Sequence, residues 1–252
     1  MTLCTPTAPW NVDATQVAAE LGVNPAIGLS DAEAATRLAE VGPNQLAAVA
    51  RVPAWRRFAA QFADRLIIIL LVAAAVALVV SREVKTPAVV LVVVVINATV
   101  GFIQEQKAEA ALNTLRNLMV PTARLRRNAA ITELESTVVV PGDIVLLTAG
   151  DRVPADGRLI TSNQLEVDES TLTGESQPVD KSAVDLHASD GYGNGNGNGN
   201  GNNVPLAERT TMAHANTTVT RGRAEMVVTA TGMDTELGHI ARLLSTAGTG
   251  TT

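Results

Sequence analysis

The sequence is poor in cysteine, histidine and aromatic residues, and each scarcity closes off a class of protein. Cys4 is the single cysteine in 252 residues, so neither an internal disulfide nor a Cys-x-x-Cys metal clamp can form. The three histidines, His187, His214 and His239, are scattered without ligand spacing, which points to solvated or core side chains and to no metal site. A formal net charge of -6, with no long basic run, argues against nucleic acid as a partner. Met1 to Trp10 lack the charged-then-apolar order of a cleaved leader, and this polar start is expected in the cytoplasm. Only 2% of residues are aromatic while 46% are hydrophobic, so Val, Ala, Leu and Ile carry the apolar content. Part of it is gathered in two stretches rather than spread by period, which suggests a membrane.

The first stretch, Leu66 to Val80 (LIIILLVAAAVALVV), is apolar throughout. It falls a little short of the roughly 20 residues that a spanning helix needs. Phe58 to Ala63 are expected to extend it through the interface, with Trp55, Arg56 and Arg57 as an aromatic and basic anchor. For this run alone, a buried helix of a soluble protein is the alternative. The second stretch, Pro87 to Ile103, opens on a proline tolerated in a first helical turn. Its polar interruptions, Asn97 and Thr99, are expected to bond a neighbouring helix rather than an ion. Good helix formers from Gln104 to Lys107, then Ala108, Ala111, Leu112, Leu115 and Leu118 on one face, predict a stalk that runs on until Pro121. Arg82 and Lys85 lie between the stretches. Arg51, Arg56, Arg57 and Arg65 precede them, and Lys107, Arg116, Arg124, Arg126 and Arg127 follow. That excess on the outer flanks places both in the cytoplasm and the tip of the hairpin outside. Asp64 and Glu105 fall near the membrane boundaries and read as interfacial stalk charges before they read as part of an ion path.

Residues 11–50 read as two short amphipathic helices. Ser30 can cap the second, with Glu33 placed for a capping box, and Ala34, Leu38 and Val41 share one face. Gly42-Pro43 stops it. So small a pair cannot bury a core of its own and should dock on another element. From Thr122 to about Gly232 the texture is β-rich. Strands are predicted over 123–126, 136–140, 144–147, 158–160 and 224–228, punctuated by Pro141-Gly142-Asp143, Gly150-Asp151 and Asp156-Gly157. Short strands with close-set turns indicate a compact sandwich or jelly-roll-like domain. Residues 191–202 (GYGNGNGNGNGN) read as a flexible surface insertion without chemistry. Asp234 is predicted to cap a short helix carrying Leu237, Ile240, Leu243 and Leu244, followed by a polar tail.

The stretch from Pro141 to Lys181 is the most specific: PGDIVLLTAGDRVPADGRLI, then VDESTLTGESQPVDK. Alone, Thr173-Gly174-Glu175-Ser176 could be any exposed turn. In this surrounding order and spacing, the sequence closely resembles the actuator domain of P-type ATPases. Gly232-Met233-Asp234-Thr235-Glu236-Leu237-Gly238 is similar to the family's lead into its third membrane helix. Gly28-Leu29-Ser30 through Gly42-Pro43-Asn44-Gln45-Leu46 resembles the N-terminal segment of calcium-pump-like and sodium/potassium-pump-like members. Ile96-Asn97-Ala98 through Gly101-Phe102-Ile103-Gln104-Glu105, with Lys107-Ala108-Glu109, resembles their second membrane helix. The resemblance covers nearly all of the chain except the Gly/Asn insertion and the tail.

The resemblance implies an α+β membrane protein: a two-helix transmembrane hairpin with a helical stalk, plus a jelly-roll-like β actuator domain. The divisions are 1–54 for the N-terminal cytoplasmic helices, 55–120 for hairpin and stalk, 121–232 for the β-domain with its insertion at 190–203, and 233–252 for linker helix and tail. It implies a role in hydrolysing an aspartyl-phosphate, a covalent intermediate that water must attack in line. Glu175 matches the family's glutamate for that step. Gly174 would let backbone pass close to a phosphoryl group, and Thr173 and Ser176 would orient the loop. No Asp-Lys-Thr-Gly-Thr segment occurs in the chain, so the phosphorylated aspartate and the nucleotide domain are expected elsewhere. The chain itself is expected to bind no cofactor and no metal, while a complete pump would use Mg-ATP. Partners implied are the lipid bilayer, the missing phosphorylation and nucleotide domains, and a transported cation. The location implied is the plasma membrane, multi-pass, with the N-terminus and actuator cytoplasmic. Lack of a Cys-x-x-Cys argues against soft heavy metals, and the resemblance favours a calcium-pump-like class. Two readings stand: the N-terminal part of a cation pump, inactive alone, or a stand-alone short membrane protein that binds or regulates a full-length pump.

Overall fold

In the computed structural model of the chain, the described residues are 8–47, 53–81, 85–117, 121–184 and 204–248. They form two compact units, one of residues 48–119 and the other of 1–47 with 120–252. The Gly/Asn insertion and His187 lie outside the described residues.

The larger unit is built on an antiparallel sheet. Strands β1 (Thr122–Arg127), β2 (Ala130–Glu135), β3 (Ile144–Thr148), β4 (Asp156–Asp168), β5 (Val179–Lys181), β6 (Met212–Ala213) and β7 (Thr218–Ala230) pair in the order β2-β1-β3-β7-β4-β5, with β6 on the start of β4. The expected strands at 123–126, 144–147, 158–160 and 224–228 are present, and two of them are far longer than their apolar runs. β4 and β7 each span 13 residues because they pair with one another well beyond the apolar segment. Their register shifts between Leu159 and Thr161 and again between Asn163 and Glu166, bulges that bend the ribbon. Gly222 serves the second bulge: its φ is +82°, and a Cβ there would lie 2.1 Å from Gln164 O. The predicted strand at 136–140 is instead a 3-10 turn, Ser136–Val138, followed by extended chain. β1 pairs instead with β2 (Ala130–Glu135), through a hairpin whose turn residues Asn128 and Ala129 both have positive φ.

Alternation along the strands gives the sheet two buried faces. Val145, Leu147, Leu159, Val167, Met226 and Val228 belong to one core with Leu125 and Val219. Ile144 and Val227, their immediate neighbours in sequence, turn to the other side and join Val17, Ala18, Leu21, Leu29 and Ala34. Residues covered on both faces form unbroken apolar runs, which is why Met226 to Val228 shows no polar alternation. The docked element is the N-terminal helix pair, α1 (Ala14–Glu20) and α2 (Asp31–Val41). Asp13 caps α1 by accepting from Thr15 N at 2.8 Å, and Ser30 Oγ caps α2 by accepting from Glu33 N at 3.2 Å. The second half of the expected capping box is replaced: the Glu33 carboxylate lies 3.7 Å from Arg37. Val41 departs from the predicted apolar face and is exposed.

Arg37 is the anchor that sequence reasoning overlooked. It is buried, donating to Pro141 O at 2.9 Å and Leu21 O at 2.8 Å. A Cβ on Gly142 would lie 2.3 Å from Arg37 Nη1, so the glycine of the Pro-Gly-Asp turn makes room for the guanidinium. Asp143, wholly buried, accepts from Arg127 Nε at 2.8 Å and Nη2 at 2.6 Å, and from Val140 N at 2.9 Å.

The smaller unit holds α3 (Ala54–Gln61), α4 (Arg65–Ser81) and α5 (Lys85–Asn117). Phe58 to Ala63 do not extend the first apolar helix. α3 closes at Phe62 and Ala63, whose amides bond Ala59 O and Ala60 O, and α4 starts afresh at Arg65. α3 is then free to lie along α5. Arg57 pairs with Glu109, Gln61 donates to Glu105 at 2.9 Å, and Phe58 stacks edge-on against Phe62 and Phe102. Glu105 thus serves as a helix-pairing group. α4 and α5 pack together, burying Ile67, Val94 and Ala98 while Ile69, Val72, Val79 and Val89 stay exposed. Thr99 bonds its own helix, donating to Val95 O at 2.7 Å, rather than a neighbour. Among the described residues, Pro87–Ala111 is the one helical stretch long and apolar enough to cross a membrane; Ile67–Val80 is shorter.

Candidate functional site

The Thr-Gly-Glu-Ser residues sit at the end of a β-hairpin. β4 and β5 pair through Leu165 with Lys181, Glu166 with Asp180 and Val167 with Val179, which closes the base of the connecting segment. The first turn of that segment is set by Asp168, whose Oδ1 accepts from Ser170 N at 2.9 Å. Hydrogen bonds from the Ser170 hydroxyl and then its amide hold the Asp168 carboxyl below its ordinary value. Glu169 O then accepts from Leu172 N at 2.9 Å and Thr173 N at 3.0 Å, starting the short helix α6 (Ser170–Thr173).

Gly174 ends α6 in the left-handed region, φ +78° and ψ 0°, with its amide bonded to Ser170 O. A Cβ there would meet nothing within 4 Å, so glycine is required by backbone conformation and the space beside it is open. The Thr173 hydroxyl bridges the turn: it donates to Glu169 O at 3.2 Å and accepts from Glu175 N at 3.2 Å. Glu175 and Ser176 are both exposed, and among the described residues the Glu175 carboxylate has no partner. The Ser176 hydroxyl has none either. The four predicted residues are therefore contiguous at one tip, with Thr173 bonded into the turn and Glu175 projecting freely.

Beneath the tip lies a pair that the motif did not reveal. Glu169 and Lys181 have wholly buried side chains, with Lys181 Nζ 2.7 Å from Glu169 Oε1. The contact is an ion pair by distance; its angle is not that of a hydrogen bond, and Glu169 Oε2 meets no donor among the described residues. Lys181 Nζ also donates to Arg209 O at 3.3 Å. Burial pulls the Lys181 ammonium below its ordinary value, opposed by the charge of Glu169. The signal in the sequence was the pair of opposite charges flanking the loop.

At the other end of β4, Asp156 ties the last helix to the sheet. Its Oδ1 accepts from Ala215 N at 2.7 Å and its Oδ2 from Glu236 N at 2.8 Å. Glu236 begins α7 (Glu236–Gly248). The predicted cap, Asp234, is exposed at the end of a 3-10 turn, Gly232–Asp234. Thr235 caps instead, its Oγ1 accepting from Gly238 N at 3.0 Å, because the 3-10 turn holds Asp234 one residue before the cap position. Leu237 and Ile240 are half-buried, while Leu243 and Leu244 are exposed. His214 is buried with Nδ1 3.8 Å from Asp156 Oδ1, and His239 is exposed. Among the described residues no three His, Cys, Asp or Glu side chains are grouped to hold a metal ion.

Residues 117–245 match the model of the P-type ATPase actuator domain, and residues 9–77 match that of the cation transporter/ATPase N-terminus. Over 241 residues, 96% of the chain, the sequence is 44% identical to a probable cation-transporting ATPase F of Mycobacterium bovis, of which it covers 25%. It is 40% identical over 232 residues to calcium-transporting ATPase 1 of Bacillus cereus, with 92% of the chain and 25% of the relative covered. A sodium/potassium exporting P-type ATPase of Schizosaccharomyces pombe is 38% identical over 221 residues, 88% of the chain and 20% of the relative. The chain thus spans about a quarter of the length of these relatives.

Proposed function

The chain belongs to the P-type ATPase family, carrying its N-terminal and actuator regions, and on that premise we propose that it promotes dephosphorylation within an ATP-driven cation pump. The observation that supports this reading is the Glu175 tip: a carboxylate with no partner among the described residues, presented beyond a left-handed glycine and a bridging threonine. The substrate is an aspartyl-phosphate in the pump's phosphorylation domain. Glu175 orients a water and takes its proton as the water oxygen bonds to phosphorus. The bond from phosphorus to the aspartyl oxygen breaks, and the aspartate leaves as a carboxylate while phosphate departs. The open space beside Gly174 suits close approach of that phosphoryl group. Mg-ATP supplies the phosphoryl group in the complete pump.

We take the β-module to swing in and out as one body, and α5, 33 residues long, to continue from bilayer to stalk. We read α4 and α5 as a transmembrane hairpin in the plasma membrane, one part of a multi-pass pump. Arg56, Arg57 and Lys107 support placing the N-terminus and the β-module in the cytoplasm. The nucleotide and phosphorylation domains, the bilayer and a transported cation are its partners, and we assign a calcium-pump-like class.

The test replaces the corresponding segment of a complete calcium-transporting relative with this chain. Glu175→Gln should leave phosphoenzyme formation intact and slow its breakdown by about a hundredfold, the scale of losing a positioned acid–base group. An unchanged decay rate would remove Glu175 from the mechanism. Expressed by itself, the chain should form no acid-stable phosphoenzyme with ATP.

A further inference from the structure

We propose that Glu169 and Lys181 are positioning residues for Glu175, a buried clasp that fixes where the catalytic loop leaves the sheet. The inference rests on the reading of Glu175 just given and adds residues that the Thr-Gly-Glu-Ser motif does not contain. The two charges stand at opposite ends of the loop, Glu169 after β4 and Lys181 at the end of β5. Both side chains are fully buried and 2.7 Å apart. Stripping water from two ions costs several kcal/mol each, and apolar side chains could fill such a site at no loss of stability. A pair in that setting is suited to specifying geometry.

The geometry it specifies leads directly to Glu175. The backbone carbonyl of Glu169 accepts from Leu172 N, Thr173 N and Thr173 Oγ1, so the position of Glu169 sets the whole of α6. Thr173 Oγ1 in turn accepts from Glu175 N. On the other side, Lys181 donates to Arg209 O. Arg209 is itself held by Glu236 at 2.6 Å and stacks over the Trp10 ring at 3.7 Å. The loop tip is exposed and nothing lies within 4 Å of the Gly174 Cβ position, so its placement depends on the base.

The experiment compares Glu169→Gln, Lys181→Met and the double variant E169Q/K181M, in the chain itself and in the chimeric pump. The double variant leaves no unpaired buried charge and should fold with a small loss of thermal stability, because Arg209 O loses its donor and the new amide has no partner. In the chain, hydrogen exchange at 174–176 should rise at least about tenfold, while exchange at 144–147 in the core rises far less. In the pump, phosphoenzyme should form at the wild-type rate and decay about tenfold more slowly, the penalty of a misplaced catalytic group. Wild-type loop exchange and decay in the double variant, beside a slow Glu175→Gln, would overturn the clasp and leave the role of Glu175 standing. Exchange rising equally in loop and core would also overturn it, by showing a merely structural pair. If Glu175→Gln decays normally, the catalytic reading fails, and positioning of a catalytic group fails with it.

Discussion

Asn44 Oδ1 accepts a hydrogen bond from Gly232 N at 2.8 Å, joining the end of the N-terminal helical segment to the start of the exit toward α7. The same side chain donates from Nδ2 to Ser136 O at 2.9 Å and Pro154 O at 2.8 Å. One amide therefore serves three separate backbone segments. Asn44→Ala should lower unfolding stability by about 1–3 kcal/mol, because partly buried backbone groups lose their partners. Asn44→Asp should do no better, since a carboxylate can accept from Gly232 but repels two carbonyls. Urea unfolding of the two variants beside wild type checks both statements.

Gly28 tests the docking of the N-terminal helices. Its φ is +75°, and a Cβ would lie 1.8 Å from Arg126 O, on the strand that Leu29 bridges through Arg127. Gly28→Ala should cost at least about 1–3 kcal/mol through forced backbone shifts and should make α1 and α2 sensitive to protease. Gly42, at φ +85° with nothing within 4 Å of its Cβ position, is the control. Gly42→Ala should cost only its positive-φ, extended backbone, φ +85° and ψ 175°, about 1–3 kcal/mol, and leave protease resistance intact.

Asp143→Ala leaves Arg127 buried without its carboxylate and Val140 N without its acceptor. Breaking such a buried pair costs about 3–5 kcal/mol. Asp143→Asn keeps the shape and an acceptor and should fall between wild type and alanine. Thermal unfolding should rank the three proteins in that order; an alanine variant as stable as wild type would show that the pair contributes nothing.

Acid should weaken the contact between Arg126 and Glu225. Hydrogen bonds from Arg126 hold the Glu225 carboxyl below its ordinary value of 4.5, against a smaller opposing effect of burial. A carboxyl lowered in the folded state adds stability that is complete above the unfolded value and is lost as pH falls through the folded one. Wild type should therefore lose melting temperature below about pH 4.5 more steeply than Glu225→Gln. Parallel acid profiles for the two proteins would remove Glu225 from the acid response.

Local signals were legible where one residue and its near neighbours decide the outcome. Ser30 caps α2 because a short hydroxyl before a helix has few competitors for the Glu33 amide. The apolar content of Pro87 to Ile103 announced α5, although the break at Phe62 and Ala63 went unseen. That break reflects contacts with α5, where Phe58 meets Phe102 and Arg57 meets Glu109. Likewise the polar halves of β4 and β7 carry no strand signal alone; they are extended because each supplies the other's hydrogen bonds. Asp234 is the stronger cap by residue type, yet the 3-10 turn before α7 gives the place to Thr235.

The order of residues by itself determined the family, the apolar helices and the contiguous Thr173-Gly174-Glu175-Ser176 segment, because these depend on composition and adjacency along the chain. Only the tertiary structure decided that Glu169 meets Lys181, that Arg37 fills the space left by Gly142, and that Asn44 reaches Gly232. The reason is that a buried polar group has to find its partner wherever folding brings one, and sequence separation carries no record of that encounter.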